Sequence, residues 1–199
     1  MSGSVVIAGQ DASGNLYPAA ADGDTLAIST NGFRPTYAYR AADFSPVAAA
    51  TDVLVLTGAA NKVIRVTKVG VTGSATAAAL VDLYVTKRTT ANSGGTSTNP
   101  TATKYDSNDS APSATLTLYT ANASSLGTGT GLEGDIVYLP ASAAPAGEPS
   151  HWERFYGING TKYPTLRSAS ESISINFGGA TQPSGSRYYL YIEWTEDVA

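Results

Sequence analysis

The sequence predicts an all-β chain: a single β-sandwich of jelly-roll or Greek-key type, residues 46–199, preceded by an extended N-terminal arm, residues 1–45. Three observations carry this. Hydrophobicity alternates with period two in short runs, most clearly in Ser172-Ile173-Ser174-Ile175-Asn176-Phe177 and Tyr188-Tyr189-Leu190-Tyr191-Ile192-Glu193-Trp194, as half-buried strands require. Turn-forming Gly, Pro, Ser and Asn punctuate these runs, and no helical periodicity persists over three turns. Several of the connections are long, which suits crossover topologies better than a meander of tight turns.

In chain order, residues 1–45 hold one short apolar run, Val5 to Ala8, and then turn sequences such as Asp22-Gly23-Asp24. So few apolar side chains cannot close a core, so an arm with one or two short strands is expected. From Thr51 the strand signals become regular. Val53-Leu54-Val55-Leu56 is apolar on both faces and reads as a central or doubly covered strand. In Val63 to Val71 the apolar positions change sides near Lys68, which a bulge or bend would reconcile. Leu80 to Lys87 follows, with Val81, Leu83 and Val85 inward and Asp82, Tyr84 and Thr86 outward. Residues 89–113 read as a long polar loop of the kind that is functional or disordered. Thr115 to Tyr119, Ile136 to Leu139, Trp152 to Tyr156 and the two terminal runs complete eight to nine strands. The terminal runs are expected to be core strands, with Leu190, Ile192 and Trp194 inward and Tyr189, Tyr191 and Glu193 on the opposite face.

Composition narrows function mostly by exclusion. The chain has 199 residues and no cysteine, so disulfides, thiolate metal sites and a cysteine nucleophile are out. A net charge of −4 with scattered Lys and Arg argues against nucleic-acid binding. The N-terminal apolar run is too short for a signal peptide or a membrane span, so a soluble, unexported product is expected, with no membrane partner.

Little catalytic chemistry is legible. His151 is the only histidine and has no nucleophile elbow beside it. Asp82, Glu171 and Glu193 are the strand-borne carboxylates that a glycoside hydrolase would need as a pair, but all fall where solvated polar faces are expected. Asp22-Gly23-Asp24 and Asp106-Ser107-Asn108-Asp109 have calcium-loop composition without EF-hand spacing, and are equally good turns. No catalytic residue, cofactor or metal ligand is assigned. The twelve tyrosines and two tryptophans are more informative, because such side chains serve interfaces and sugar-binding surfaces as well as cores. Val5, Val6, Ile7, Trp152, Tyr189 and Tyr191 are the predicted interface residues.

Thr51-Asp52-Val53-Leu54-Val55-Leu56-Thr57-Gly58 through Val69-Gly70-Val71, then Val85-Thr86-Lys87-Arg88-Thr89-Thr90-Ala91-Asn92-Ser93-Gly94-Gly95-Thr96, and the closing Tyr191-Ile192-Glu193-Trp194-Thr195-Glu196 resemble a group of tailed-bacteriophage virion structural proteins. The likeness covers roughly residues 45–199. The opening Val5 to Asp11 and Asp22 to Leu26 are similar to N-terminal segments of phage head and tail accessory proteins. The resemblance implies a non-enzymatic, often oligomeric virion component and transfers no catalytic residue. The expected role is a capsid decoration (cement) protein, a homotrimer on the capsid surface that grips the major capsid protein at capsomer junctions. It would be made in the host cytoplasm. The alternative is a tail- or fibre-associated module recognising host glycans through exposed Tyr and Trp.

Overall fold

The computed structural model describes residues 6–10, 16–19, 34–143, 150–158 and 160–199. None of the described residues is helical. Residues Met1–Phe33 form one unit, in which β1 (Val6–Gln10) and β2 (Leu16–Ala19) pair antiparallel. The second unit, Arg34–Ala199, contains β3 (Thr36–Phe44), β4 (Asp52–Thr57), β5 (Lys62–Ser74), β6 (Ala79–Arg88), β7 (Thr96–Thr98), β8 (Thr103–Lys104), β9 (Thr115–Ala121), β10 (Gly129–Leu139), β11 (Ser150–Phe155), β12 (Thr165–Leu166), β13 (Ser172–Asn176) and β14 (Arg187–Val198).

These strands make two antiparallel sheets arranged as a β-sandwich. One has the order β10-β6-β13-β4-β9-β7; the other is β11-β5-β14-β3-β8, with β12 pairing onto β5. Both inner faces feed one core. The first sheet supplies Leu54, Leu56, Val81, Leu83, Val85, Ile173 and Ile175; the second supplies Tyr37, Ile64, Val69, Val71, Leu190, Ile192 and Trp194. Each such aliphatic side chain taken fully out of water contributes about 1.5–3 kcal/mol. Trp194 packs on Tyr37 with ring centroids 5.8 Å apart, and its indole Nε1 donates to Glu196 Oε1. Glu196 is itself buried and also accepts the backbone N–H groups of Ser113 and Ala114. The end of the 89–113 segment is thereby tied to the core.

The alternation in the last strand is realised as expected, with Leu190, Ile192 and Trp194 fully buried and Tyr189 exposed. The side-switch near Lys68 is a bulge: Glu193 pairs with Lys68 and Trp194 with Val66, leaving Thr67 as the extra residue. The two terminal runs are core strands, but they do not pair with each other. β13 lies between β6 and β4, and β14 lies between β5 and β3 in the other sheet. The Gly/Pro/Ser-rich stretch between them therefore crosses from sheet to sheet.

Two segments depart from the sequence expectation. Residues 36–44, assigned above to the arm, are β3, a body strand paired along β14. Its small alanines, Ala38, Ala41 and Ala42, weaken the apolar signal that Tyr37 and Phe44 carry. The 89–113 segment is no open loop, since β7 and β8 extend the edges of the two sheets, one on each. Neither has an apolar alternation to advertise it; both are held by backbone pairing.

Candidate interaction surfaces

The most fully buried charge among the described residues is Asp52, at the start of β4. Its carboxylate is fully buried on the outward side of the first sheet, and Arg88 grips it in bidentate fashion, Nε to Oδ2 at 2.6 Å and NH2 to Oδ1 at 2.8 Å. Asn92 Nδ2, Ser174 Oγ and Asn176 Nδ2 donate to the same two oxygens. Burial pushes the Asp52 carboxyl up, but the hydrogen bonds from Arg88, Asn92 and Asn176 and the Arg88 charge outweigh it and hold it below the ordinary aspartate value. Segments 89–95 and 122–128 supply the cover. Arg88 NH1 also donates to Gly127 O, Asn92 Oδ1 accepts Gly127 N, and Ser93 and Ser125 pair through their backbones. Gly94 and Gly95 turn with φ of +67° and +82°, and a Cβ on Gly95 would stand 2.4 Å from Asn122 O. The Arg88-to-Thr96 run that carries the resemblance is thus a folding device: it seals a charged pair under its own loop. An acid so fully engaged is not a free catalytic carboxylate.

The outer face of the second sheet is open and chemically mixed. Tyr189 and Tyr191, both predicted at an interface, lie on it, opposite Thr72 and Gly70 of β5. Tyr189 is 45% exposed and Tyr191 half-buried. The phenols of Tyr105 and Tyr191 both donate to Glu193 Oε2, at 2.6 and 3.0 Å, while Thr67 Oγ1 donates to Glu193 Oε1 at 2.6 Å. Burial, together with the hydrogen bond to and charge of Glu193, pushes the Tyr191 phenol far above its usual range. Lys68 pairs with Glu153 and lies over the rings of Phe155 and Tyr191, 4.8 and 5.2 Å from their centroids. The Lys68 hydrogen bond chiefly holds the Glu153 carboxyl below its ordinary value. A depression of about 250 Å³ opens over Gly70, ringed by Arg40, His151, Glu153, Tyr189 and Tyr191.

Trp152, also predicted at an interface, lies on the other side of its strand from His151 and Glu153. It is opposite the buried Val71 and packs against the core, and its Nε1 donates to Asp135 Oδ2 at 3.0 Å. Strand parity decides this: His151, Glu153 and Phe155 take the outward positions of β11, so Trp152 and Arg154 turn towards β10, where Arg154 meets Glu133 at 3.0 Å. Val6 and Ile7 lie in β1, and Val5 falls outside the described residues.

A third surface went unnoticed in the sequence. On the outer side of the β6–β10 pair, Leu80 is 69%, Ile136 60% and Tyr138 50% exposed, with Tyr84 beside them. Leu80 stands directly across from Tyr138, and Ile136 across from Asp82. The Tyr84 ring lies over Gly134, where an added Cβ would meet it at 3.2 Å. The signal was present, because Ile136-Val137-Tyr138-Leu139 is apolar on both faces like Val53 to Leu56. One run lies at the edge of its sheet and the other is central.

The candidate acids are not brought together. Asp82 is exposed on the outer face of the first sheet, Glu193 lies on the outer face of the second, and Glu171 precedes β13, where it accepts Arg167 N and pairs with Lys87. His151 Nε2 lies 3.1 Å from Glu153 Oε2 on the exposed face. In the Asp106 to Asp109 turn, Asp106 Oδ1 accepts Asn108 N and Asp106 O accepts Asp109 N; Asp22-Gly23-Asp24 lies outside the described residues. Among the described residues no group of three or more histidines and carboxylates could hold a metal ion. No protein-family model matches the chain, and neither a curated protein nor a solved structure matches it.

Proposed function

We propose that this chain is a non-enzymatic structural protein of a tailed-phage particle, a decoration protein that docks on the major capsid protein at capsomer junctions as a homotrimer. The resemblance of residues 45–199 to such proteins motivates the reading. The observation that carries it is the bare strip of Leu80, Ile136, Tyr138 and Tyr84 on one sheet face, since an exposed contiguous apolar patch rimmed by polar residues marks a protein contact.

The strand order supports a jelly-roll fold. β3 pairs with β14, β4 with β13, β5 with β11 and β6 with β10, as though a long two-stranded ribbon had been wound on itself, first strand with last and inwards. β14–β5 and β13–β6 contacts then join successive windings, and β7 to β9 are an insertion between the innermost pair. A jelly roll presents broad sheet faces to neighbours, as a capsid-bound protein requires. The test is gold labelling of intact particles with an antibody to this chain, combined with heat challenge of particles lacking it. Label on the head and lowered heat resistance are expected; label on the tail, or unchanged resistance, overturns the proposal.

The depression over Gly70 favours one second reading, glycan recognition. Its volume of about 250 Å³ and its ring of Tyr189, Tyr191, Arg40, His151 and Glu153 combine aromatic faces with convergent polar groups, the composition of small-ligand sites. Binding on a glycan array that is lost in Tyr189→Ala would establish it, and silence across the array would remove it.

A further inference from the structure

The middle of β5 holds a glycine that its backbone does not require. Gly70 pairs with Tyr191 on one side and Glu153 on the other, clear of the bulge at Thr67, and its φ is not positive. A Cβ there would stand 3.5 Å from Glu153 Cγ and 3.6 Å from Tyr191 Cβ, ordinary contact distances. Gly73 in the same strand differs, since its Cβ would be driven to 2.6 Å from the Arg187 carbonyl. Glycine inside a paired strand weakens it; with bulge and clash set aside, it marks a place where a ligand comes close to the backbone. Gly70 lies in the depression of about 250 Å³ on the outer face of the second sheet. That volume is below the roughly 300–1,000 Å³ of pockets that enclose a drug-sized ligand, so it suits one ring of a longer chain.

The charges around the depression are unevenly committed. Lys68 and His151 both meet Glu153, and the nearby Glu193 accepts the hydroxyls of Thr67, Tyr105 and Tyr191. Arg40 is exposed, stands across from Tyr191, and has no hydrogen bond or ion pair among the described residues; the same holds for the side-chain hydroxyls of Tyr189 and Thr72. The lining therefore offers one unpaired guanidinium and two unpaired hydroxyls, while its carboxylate is already engaged. A guanidinium fork matches the oxygens of a carboxylate or sulfate. The Tyr189 ring, 45% exposed, gives the C–H face of a sugar an apolar surface with a polar tip beside it. We infer that the depression over Gly70 binds an acidic sugar residue, one carrying a carboxylate or a sulfate, and that Arg40 holds the acid. The assignment rests on the glycan reading of this depression and names its ligand class.

The test uses the full chain on a glycan array carrying uronic-acid, sialic-acid and sulfated glycans beside the same glycans with the carboxyl reduced or the sulfate removed. Binding to the acidic members is expected, with about ten- to a hundredfold weaker binding to their neutral parents, the loss of one charge-assisted hydrogen-bonded pair. The carboxylate and sulfate arms show which acid the site takes. Arg40→Gln should bring the acidic members down to the neutral level and leave thermal melts at wild type, because the side chain is exposed and unpaired. Gly70→Ala should melt at or above the wild-type temperature, since its Cβ meets only ordinary contacts, yet bind about tenfold more weakly because a methyl group then stands where the ligand lies. Equal binding of acidic and neutral members, or acidic binding undiminished in Arg40→Gln, overturns the inference and leaves the glycan reading standing. Undiminished binding in Gly70→Ala overturns the placement of the ligand over Gly70. Silence across the array removes the glycan reading and the inference together.

Discussion

The outer side of the first sheet is two surfaces of opposite character within one layer. Over β4 and β13 it carries a buried aspartate, an arginine and a set of serine and asparagine side chains, all roofed by the chain's own 89–95 and 122–128 segments. Over β6 and β10, a strand away, it carries Leu80, Ile136 and Tyr138, bare to solvent. Hydrophobicity alone would predict the reverse. A charge inside a protein is tolerable only when fully paired and hydrogen-bonded, so the polar half had to be supplied with an intramolecular lid. The apolar half needs no specific partner atoms, and another chain can cover it. Polar burial marks where this protein completes itself, and on the function proposed above apolar exposure marks where another chain would cover it.

That contrast can be broken experimentally. The largest effect is expected from Asp52→Ala, which strands the Arg88 guanidinium beneath the lid and should cost about 3–5 kcal/mol of stability in urea unfolding. A loss below about 1 kcal/mol would mean that the lid is held by something other than this pair. Acid titration sharpens the point. Since the folded-state carboxyl of Asp52 lies below its ordinary value, its contribution is full at neutral pH and is lost as pH falls through the folded value, beneath the usual aspartate range near 3.8. Wild type should therefore lose more stability than Asp52→Asn between about pH 5 and 2, followed by chemical denaturation at each pH.

Gly95→Ala comes next. It demands φ of +82° from an alanine and drives a Cβ towards the Asn122 carbonyl, so about 1–3 kcal/mol should be lost in thermal melts. Gly131→Ala, on the bare half, meets nothing within 4 Å and should stay within about 0.5 kcal/mol of wild type. A small stability effect is also expected from Leu80→Asp combined with Ile136→Asp. Both side chains are already in water, so unfolding should shift by no more than about 0.5 kcal/mol per site, while co-sedimentation with particles should be lost. Binding that survives both aspartates would show that the apolar half faces no partner.

The legibility of the sequence followed the same division. The inward stripe of β14 was readable because Leu190, Ile192 and Trp194 alternate with polar or amphipathic neighbours, and period two has only one interpretation there. The bulge at Thr67 was readable for the same reason, as a break in phase. The direction in which Trp152 faces was not legible because the run Trp152 to Tyr156 has an aromatic at three of five positions, Trp152, Phe155 and Tyr156, so composition could not tell inward from outward. Asp52 looked like one polar residue at a strand start. Nothing within several residues of it announces Arg88, Asn92, Ser174 and Asn176, which lie 36 to 124 positions away.

By itself the sequence determined the all-β class, the core strands and which side chains of the last strand face inward, because these depend on alternation within a few residues of backbone. Only the tertiary structure decided that the two terminal strands lie in different sheets, that Val53 to Leu56 is covered on both faces while Ile136 and Tyr138 are bare, and that Asp52 is sealed by a distant loop. Each of those depends on which strand becomes a neighbour, and pairing between distant segments leaves no periodic trace along the chain.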